Sequence, residues 1–173
     1  DGTRKKIIVN VGRLKKQKNQ ELLIKSFAKI SEKIPEYKLI IYGEDTYREH
    51  LERLINELSK EYKNGNLKER ILLPGNVDDI KEKIYKASLF VLSSDYEGMP
   101  NALMEAMALG LPCISTDCPC GGPRFLIKNN ENGILIKVND GEALSNAMLK
   151  VLNDKKFSNK ISMNANKICQ ILE

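Results

Sequence analysis

The segment Asp95-Tyr96-Glu97-Gly98-Met99-Pro100-Asn101-Ala102-Leu103-Met104-Glu105 places two carboxylates around a helix start. Pro100 suits a first helical position, which leaves Glu97 in the preceding loop and Glu105 about one and a half turns into the helix. Both can face one pocket. The free backbone N–H groups of the helix start would meet a negative group between them, while the carboxylates accept hydrogen bonds from hydroxyls on either side. That combination suits a sugar phosphate. Paired carboxylates also cleave glycosidic bonds, but there the bond to be cut, not an anion site, lies between them. Pattern alone equally allows an exposed Glu97 and an ordinary helix carboxylate at Glu105.

A second constellation is Gly12-Arg13-Leu14-Lys15-Lys16-Gln17-Lys18-Asn19, a glycine turn followed by cations and a helix start. It suits a diphosphate: Gly12 lets the backbone approach the oxyanions, Arg13 offers a fork of donors, and Lys18 adds a point charge beside the helix dipole. Lys15 and Lys16 read better as solvated charge. Without other context, Arg13 and Lys18 read equally well as ligand groups or as part of a basic surface loop. The cysteines Cys113, Cys118, Cys120 and Cys169 contain no C-x-x-C pair, and His50 is the single histidine, so no zinc set assembles. Cys118-Pro119-Cys120 could form a strained redox pair; free thiols are the simpler reading. His50 sits in a charged helical stretch and reads as a surface residue.

These residues need a frame, and the hydrophobic pattern supplies one. The run Ile7 to Val11 reads as a strand ending at Gly12; Asn19 is an N-cap, and Leu23, Phe27, Ile30 and Ile34 mark a helix stopped by Pro35. A strand from Tyr37 to Tyr42 and a helix carrying Tyr47, Leu51, Leu54 and Leu58 repeat the unit. Strand 71–73, a turn at Pro74-Gly75-Asn76, a short helix at Ile80 and Ile84, and strand 89–92 continue it. Then come a helix from Pro100 to Leu109, strand 113–115, a helix opening at Gly121-Gly122-Pro123, strand 133–138 and two terminal helices. Such alternation predicts an α/β protein, a Rossmann-like parallel sheet with helices on both faces. Ligands then sit beyond the carboxyl ends of the strands, at Gly12 to Lys18, Gly43 to Thr46, Pro74 to Asp78 and Ser93 to Asn101.

Composition agrees. The 173 residues, 42% hydrophobic and 29% charged, suit one globular domain. No stretch approaches the roughly 18 apolar residues of a membrane span, and the first residues lack a signal-peptide core, so a cytosolic location is expected. The net charge of +5 suits an anionic ligand, an anionic membrane surface or nucleic acid without choosing among them.

Glu97, its seven-residue spacing to Glu105, and Glu105-Ala106-Met107-Ala108-Leu109-Gly110-Leu111-Pro112 resemble the signature of group 1, family 4 glycosyltransferases. Val11-Gly12-Arg13-Leu14 with Lys18-Asn19, Pro74-Gly75-Asn76-Val77 and Gly122-Pro123-Arg124 fall in the family's order, so the resemblance covers essentially the whole chain. It implies one half of a GT-B fold: residues 1–173 as the nucleotide-sugar (donor) domain, with the N-terminal acceptor domain outside this chain. It further implies that Arg13 and Lys18 neutralise the diphosphate, and that Glu97 with the amides of Gly98, Met99, Pro100, Asn101 and Ala102 holds the sugar and its phosphate. Proline has no N–H, so Pro100 would serve by position alone. Glu105 would bind ribose hydroxyls, and Asn76 and Val77 would meet the base.

The family usually retains anomeric configuration without a metal, and the sequence holds no D-x-D motif. The resemblance therefore implies a UDP-sugar donor, no cofactor, a glycan or lipid-linked acceptor in surface polysaccharide biosynthesis, and a cytoplasmic protein peripheral at the inner membrane face through its N-terminal half. Gly43-Glu44-Asp45 departs from the glycine-x-glycine turn of many relatives. Two alternatives remain: a nucleotide-sugar epimerase, which should bring histidines to its site, and a non-catalytic phosphate- or nucleotide-sensing module, which would not require Glu97 and Glu105. Nucleic-acid binding is not expected, because no basic stripe is interleaved with aromatic residues.

Overall fold

The computed structural model describes residues 4–168. Cys169 and the first three residues lie outside that range. Six strands form one sheet in which every neighbouring pair is parallel: β1 (Lys5–Val11), β2 (Lys38–Tyr42), β3 (Ile71–Gly75), β4 (Ala87–Leu92), β5 (Cys113–Thr116) and β6 (Ile134–Ile136). Their order is β3-β2-β1-β4-β5-β6. The chain winds outward from β1 through β2 to β3, returns to β4 beside β1, and winds the other way; β1 and β4 thus flank the switch point at which such sheets take ligands.

Alternation along the strands separates two cores. Ile8, Leu39, Ile41, Leu89 and Val91 face α1 (Gln20–Ile30), α2 (Arg48–Glu61) and α7 (Gly141–Asn153), meeting Leu23, Phe27, Leu51 and Met148. Val9, Phe90, Leu92 and Cys113 face the opposite way, against Leu103, Ala106 and Met107 of α5 (Asn101–Ala108) and Leu126 of α6 (Gly122–Leu126). Short helices α3 (Leu67–Arg70) and α4 (Ile80–Ile84) lead into β3 and β4, and α8 (Lys155–Asn166) ends the described fold. The doubly wound architecture expected from the sequence is present.

Several boundaries differ from the sequence reading. Pro100 is the N-cap of α5, not its first residue: its ψ of 90° lies outside the helical range, and the helix starts at Asn101. α1 ends at Ile30, ahead of Pro35, because Ser31 caps it and Arg70 collects the carbonyls beyond. Pro74 and Gly75 continue β3 instead of turning; β3 is an edge strand, where a residue without an N–H is tolerated. β6 is confined to Ile134–Ile136, and α3, which the apolar pattern did not reveal, follows Asn66 in the left-handed region.

Arg70 explains how the end of α1 is buried. The residue is 7% exposed, and its guanidinium donates to the carbonyls of Tyr37, Ser31, Gly65 and Ile34 at 2.9, 3.0, 2.7 and 2.6 Å and lies 5.1 Å over the Phe27 ring. Burial lowers its pKa from the ordinary arginine value. Arg70→Met would keep the bulk and remove the donors to four carbonyls, of which, among the described residues, Ile34 O alone keeps a second donor, the Tyr37 amide at 3.1 Å; the change should cost about 3 kcal/mol or more in urea unfolding. A loss below about 1 kcal/mol would contradict this role.

Candidate functional site

The two chemistry-bearing segments leave the carboxyl ends of adjacent strands. After β1, Gly12 N donates to Tyr42 O at 3.0 Å, and Gly43 closes the end of β2 against it: at φ +144°, a Cβ on Gly43 would lie 1.9 Å from the Gly12 carbonyl. Only glycine allows that approach. The basic loop then makes a 3-10 turn over Lys16–Lys18, and Asn19, in the left-handed region, caps α1 by accepting from Leu22 N at 3.1 Å.

The loop after β4 is stitched to this basic loop. Asp95 N donates to Gln17 O at 3.0 Å, Gln17 Nε2 to Tyr96 O at 3.2 Å, Asn19 Nδ2 to Asp95 Oδ1 at 2.9 Å, and Ser93 Oγ to Asn19 O at 2.9 Å. At the centre, Lys18 Nζ meets Glu97 Oε1 at 2.6 Å. Ser94 Oγ donates to the same oxygen at 2.7 Å, and Thr116 Oγ1, on β5, donates to Ser94 O at 2.6 Å. Glu97 is 7% exposed, Ser94 and Thr116 fully buried. Oε1 is therefore taken twice, whereas Oε2 has no hydrogen-bond partner among the described residues.

Lys18 and Glu97, assigned from sequence to different parts of a ligand, are thus in contact. Ser94 and Thr116 were missed by the sequence reading. Their one available signal was small hydroxyl residues directly after buried β4 and within fully buried β5, where a polar group must find a partner.

Arg13 points to a different carboxylate. Its Nε lies 2.9 Å from Asp45 Oδ2, at an angle too poor for a hydrogen bond, and its side chain is 69% exposed; Lys15 approaches the same oxygen at 3.9 Å. The Thr46 amide first, and then the Arg13 and Lys15 charges, hold the Asp45 carboxyl below its usual range. Glu44 accepts a fork from Arg48 at 2.7 and 2.8 Å, and Arg48 also donates to Leu73 O at 3.0 Å. The Gly43-Glu44-Asp45 departure thus occupies the end of β2 with three ion pairs, Arg13 and Lys15 on Asp45 and Arg48 on Glu44.

α5 begins beside Glu97. Met104 N donates to Pro100 O at 3.1 Å as the first bond of the helix, which leaves the amides before it without an intrahelical acceptor. Gly98, Met99 and Asn101 are exposed, Ala102 half-buried and Pro100 buried. α6 braces this turn: a Cβ on Gly122 would fall 2.0 Å from Gly98 O and 2.6 Å from Pro100 Cδ. Glu105 is exposed along α5, its carboxylate with no hydrogen bond or ion pair among the described residues. Asn76 and Val77 follow β3, two strands from β1, or about 10 Å at ordinary strand spacing.

The structure therefore brings Lys18 and Glu97 into contact at the β1/β4 switch point, with Gly12 at the end of β1 and Gly98 to Ala102 leading into α5; Arg13 turns to Asp45, Glu105 lies farther along α5, and Asn76 and Val77 follow β3. His50 belongs to α2, stacked on Tyr47 and 3.2 Å from Glu21. Chemically the crevice offers two cations, helix-start amides and one open carboxylate oxygen, a set able to hold a phosphate ester together with neighbouring hydroxyls.

Comparison with known proteins agrees with this geometry. The family described as glycosyl transferases group 1 matches residues 2–168. The chain is 37% identical, over 86% of its length, to a UDP-Gal:alpha-D-GlcNAc-diphosphoundecaprenol alpha-1,3-galactosyltransferase of Escherichia coli, and spans 37% of that protein. Its fold superposes with a TM-score of 0.80 on the C-terminal domain of a group 1 family glycosyl transferase from Francisella tularensis, at 24% identity, covering 97% of this chain and 86% of that one. It does so equally, at 23% identity and 0.80, on Anabaena HepE in complex with UDP, covering 95% of this chain and 44% of HepE. A match spanning nearly all the described residues leaves one conclusion: the chain belongs to the group 1 glycosyl transferases.

Proposed function

We propose that this chain is the donor-binding half of a two-domain, GT-B glycosyltransferase that takes a nucleotide-diphosphate sugar, with UDP as the nucleotide. The observation that carries the reading is the asymmetry of Glu97, four residues ahead of the unbonded first amides of α5: Oε1 is held by Lys18 and Ser94, while Oε2 has no hydrogen-bond partner among the described residues. A donor diphosphate would lie between Gly12 and the start of α5, its charge met by Arg13, Lys18 and the helix dipole. Glu97 Oε2 would accept from a hydroxyl of the transferred sugar. Glu105 would take the ribose hydroxyls, and Asn76 and Val77 would bound the base.

Transfer would retain anomeric configuration. The departing diphosphate would be stabilised by Arg13 and Lys18 in place of a divalent ion, and a donor phosphate oxygen would help deprotonate the acceptor. No cofactor is needed, since the nucleotide sugar is itself a substrate. The acceptor, a glycan or lipid-linked sugar as in the undecaprenol-linked relative, would be held by a facing N-terminal domain. The chain alone would bind donor and transfer sugar poorly. No helix among the described residues is long and apolar enough to cross a membrane; a cytoplasmic protein peripheral at the inner face fits the lipid-linked acceptor.

In calorimetry, Arg13→Ala and Lys18→Ala should each weaken UDP binding at least about tenfold, the scale of a lost charged hydrogen bond, while Lys15→Ala stays within about twofold. Equal losses at all three would mean generic attraction to a basic loop.

The second measurement compares each variant's affinity for UDP and for the UDP-hexose it binds best. Glu97→Gln should remove the preference for the sugar-bearing nucleotide, Ser94→Ala should reduce it by up to about tenfold, and Glu105→Gln should weaken UDP itself. An intact preference in Glu97→Gln would refute the sugar contact.

A further inference from the structure

The edge of the sheet opposite the crevice carries a different chemistry. α8 reads KKFSNKISMNAN, without one acidic residue. Its inner side gives Ile161 to one core and Ala165 to the other, so the helix lies across the amino-terminal edge of the sheet. There Ser162 Oγ donates to the carbonyl of Gly110, ahead of β5, and Arg4, ahead of β1, donates to Ser162 Oγ, Gly110 O and Ala87 O.

The outer side of α8 repeats at helical spacing as Lys156, Lys160, Met163 and Lys167, all exposed, with Met163 at 71%. Lys155 lines a cavity with Ser158, Lys6 and Ser88. Among the described residues, none of Lys155, Lys156, Lys160 and Lys167 is ion-paired. The nearby acids are engaged or aside: Glu36 pairs with Lys6 at 3.4 Å, Asp154 caps α8 by accepting from Phe157 N at 3.0 Å, and Glu131 meets the helix through its backbone carbonyl, bonded to Asn164. Further along the edge, Lys86 lies 5.5 Å over the ring of Tyr85, which is 45% exposed.

We propose that this edge docks the protein on an anionic phospholipid bilayer. Unpaired lysines on an acid-free helix complement headgroup phosphates, each contributing near an anionic surface, and Met163 and Tyr85 project where a bilayer accepts apolar groups at its headgroup boundary. A nucleic acid would meet the charge but leave Met163 in water. The lipid edge and the nucleotide crevice lie at opposite ends of the strands, so both ligands bind at once. This surface does not depend on the donor assignment.

The test is sedimentation of the chain with phosphatidylcholine vesicles, with and without about one third phosphatidylglycerol. Binding should require phosphatidylglycerol, disappear near 0.5 M salt, where the Debye length falls to roughly 4 Å, and be unchanged by UDP. The triple variant Lys155→Glu, Lys156→Glu, Lys160→Glu should lose roughly a hundredfold in partitioning. Met163→Ser should lose several-fold at constant charge. The charge-matched control Lys16→Glu, Lys25→Glu, Lys137→Glu, around the carboxyl-terminal edge, should lose far less. No binding at low salt, equal losses in both triple variants, or tighter binding to a single-stranded oligonucleotide than to anionic vesicles would overturn the proposal.

Discussion

A carboxylate as buried as Glu97 needs a cation and donors beside it, and Lys18 and Ser94 meet that need from two different connections of the sheet. Removing either charge would strand the other, so the loops after β1 and β4 cannot drift apart without cost. The surrounding bonds from Ser93, Gln17 and Asn19 fix register, and Thr116 ties the assembly to β5. The crevice is therefore a seam between the two halves of the sheet, and the Glu97 carboxylate is fixed through Oε1 four residues ahead of α5. Preorganisation of this kind is what recognition of a phosphorylated, hydroxyl-rich ligand requires.

Much of this was legible in the sequence, for physical reasons. Buried parallel strands read as short apolar runs, and Asn19 with its following helix pattern announced a capped α1. Glu97 and Glu105 stood out because carboxylates around a helix start invite a ligand. What the sequence could not convey is how side chains from distant segments meet. Ser94 and Thr116 look like ordinary strand-end hydroxyls until the sheet order places β4 beside β5. Arg13 looked like a free fork, but the acidic turn after β2 brings Asp45 to it. Pro100 obeyed the usual preference for a first helical position only approximately, because Gly122 crowds the turn before it and the chain enters α5 one residue later.

The two edges of the sheet divide the chemistry. At the carboxyl ends of the strands, cations are matched by buried or semi-buried carboxylates, which is the arrangement for selective contact with one ligand. At the amino ends, α8 presents lysines without ion-pair partners among the described residues, an arrangement suited to an extended anionic surface. The first edge is where we propose the donor binds, and nothing in membership of the group 1 glycosyl transferases dictates the second. Arg4 and Arg70 stabilise the same amino-terminal side from within, each by donating to several backbone carbonyls.

The central claim, that the seam closed by Lys18 and Glu97 is where the donor binds, is tested most directly by amide NMR of the chain during titration with UDP. The account predicts that the largest shifts fall on the amides of Gly12 to Asn19 and of Gly98, Met99, Asn101 and Ala102, with smaller ones at Asn76 and Val77 and none along α8. Shifts that instead cluster on α8, or saturable binding that leaves the amides around Gly12 and Gly98 unmoved, would contradict it.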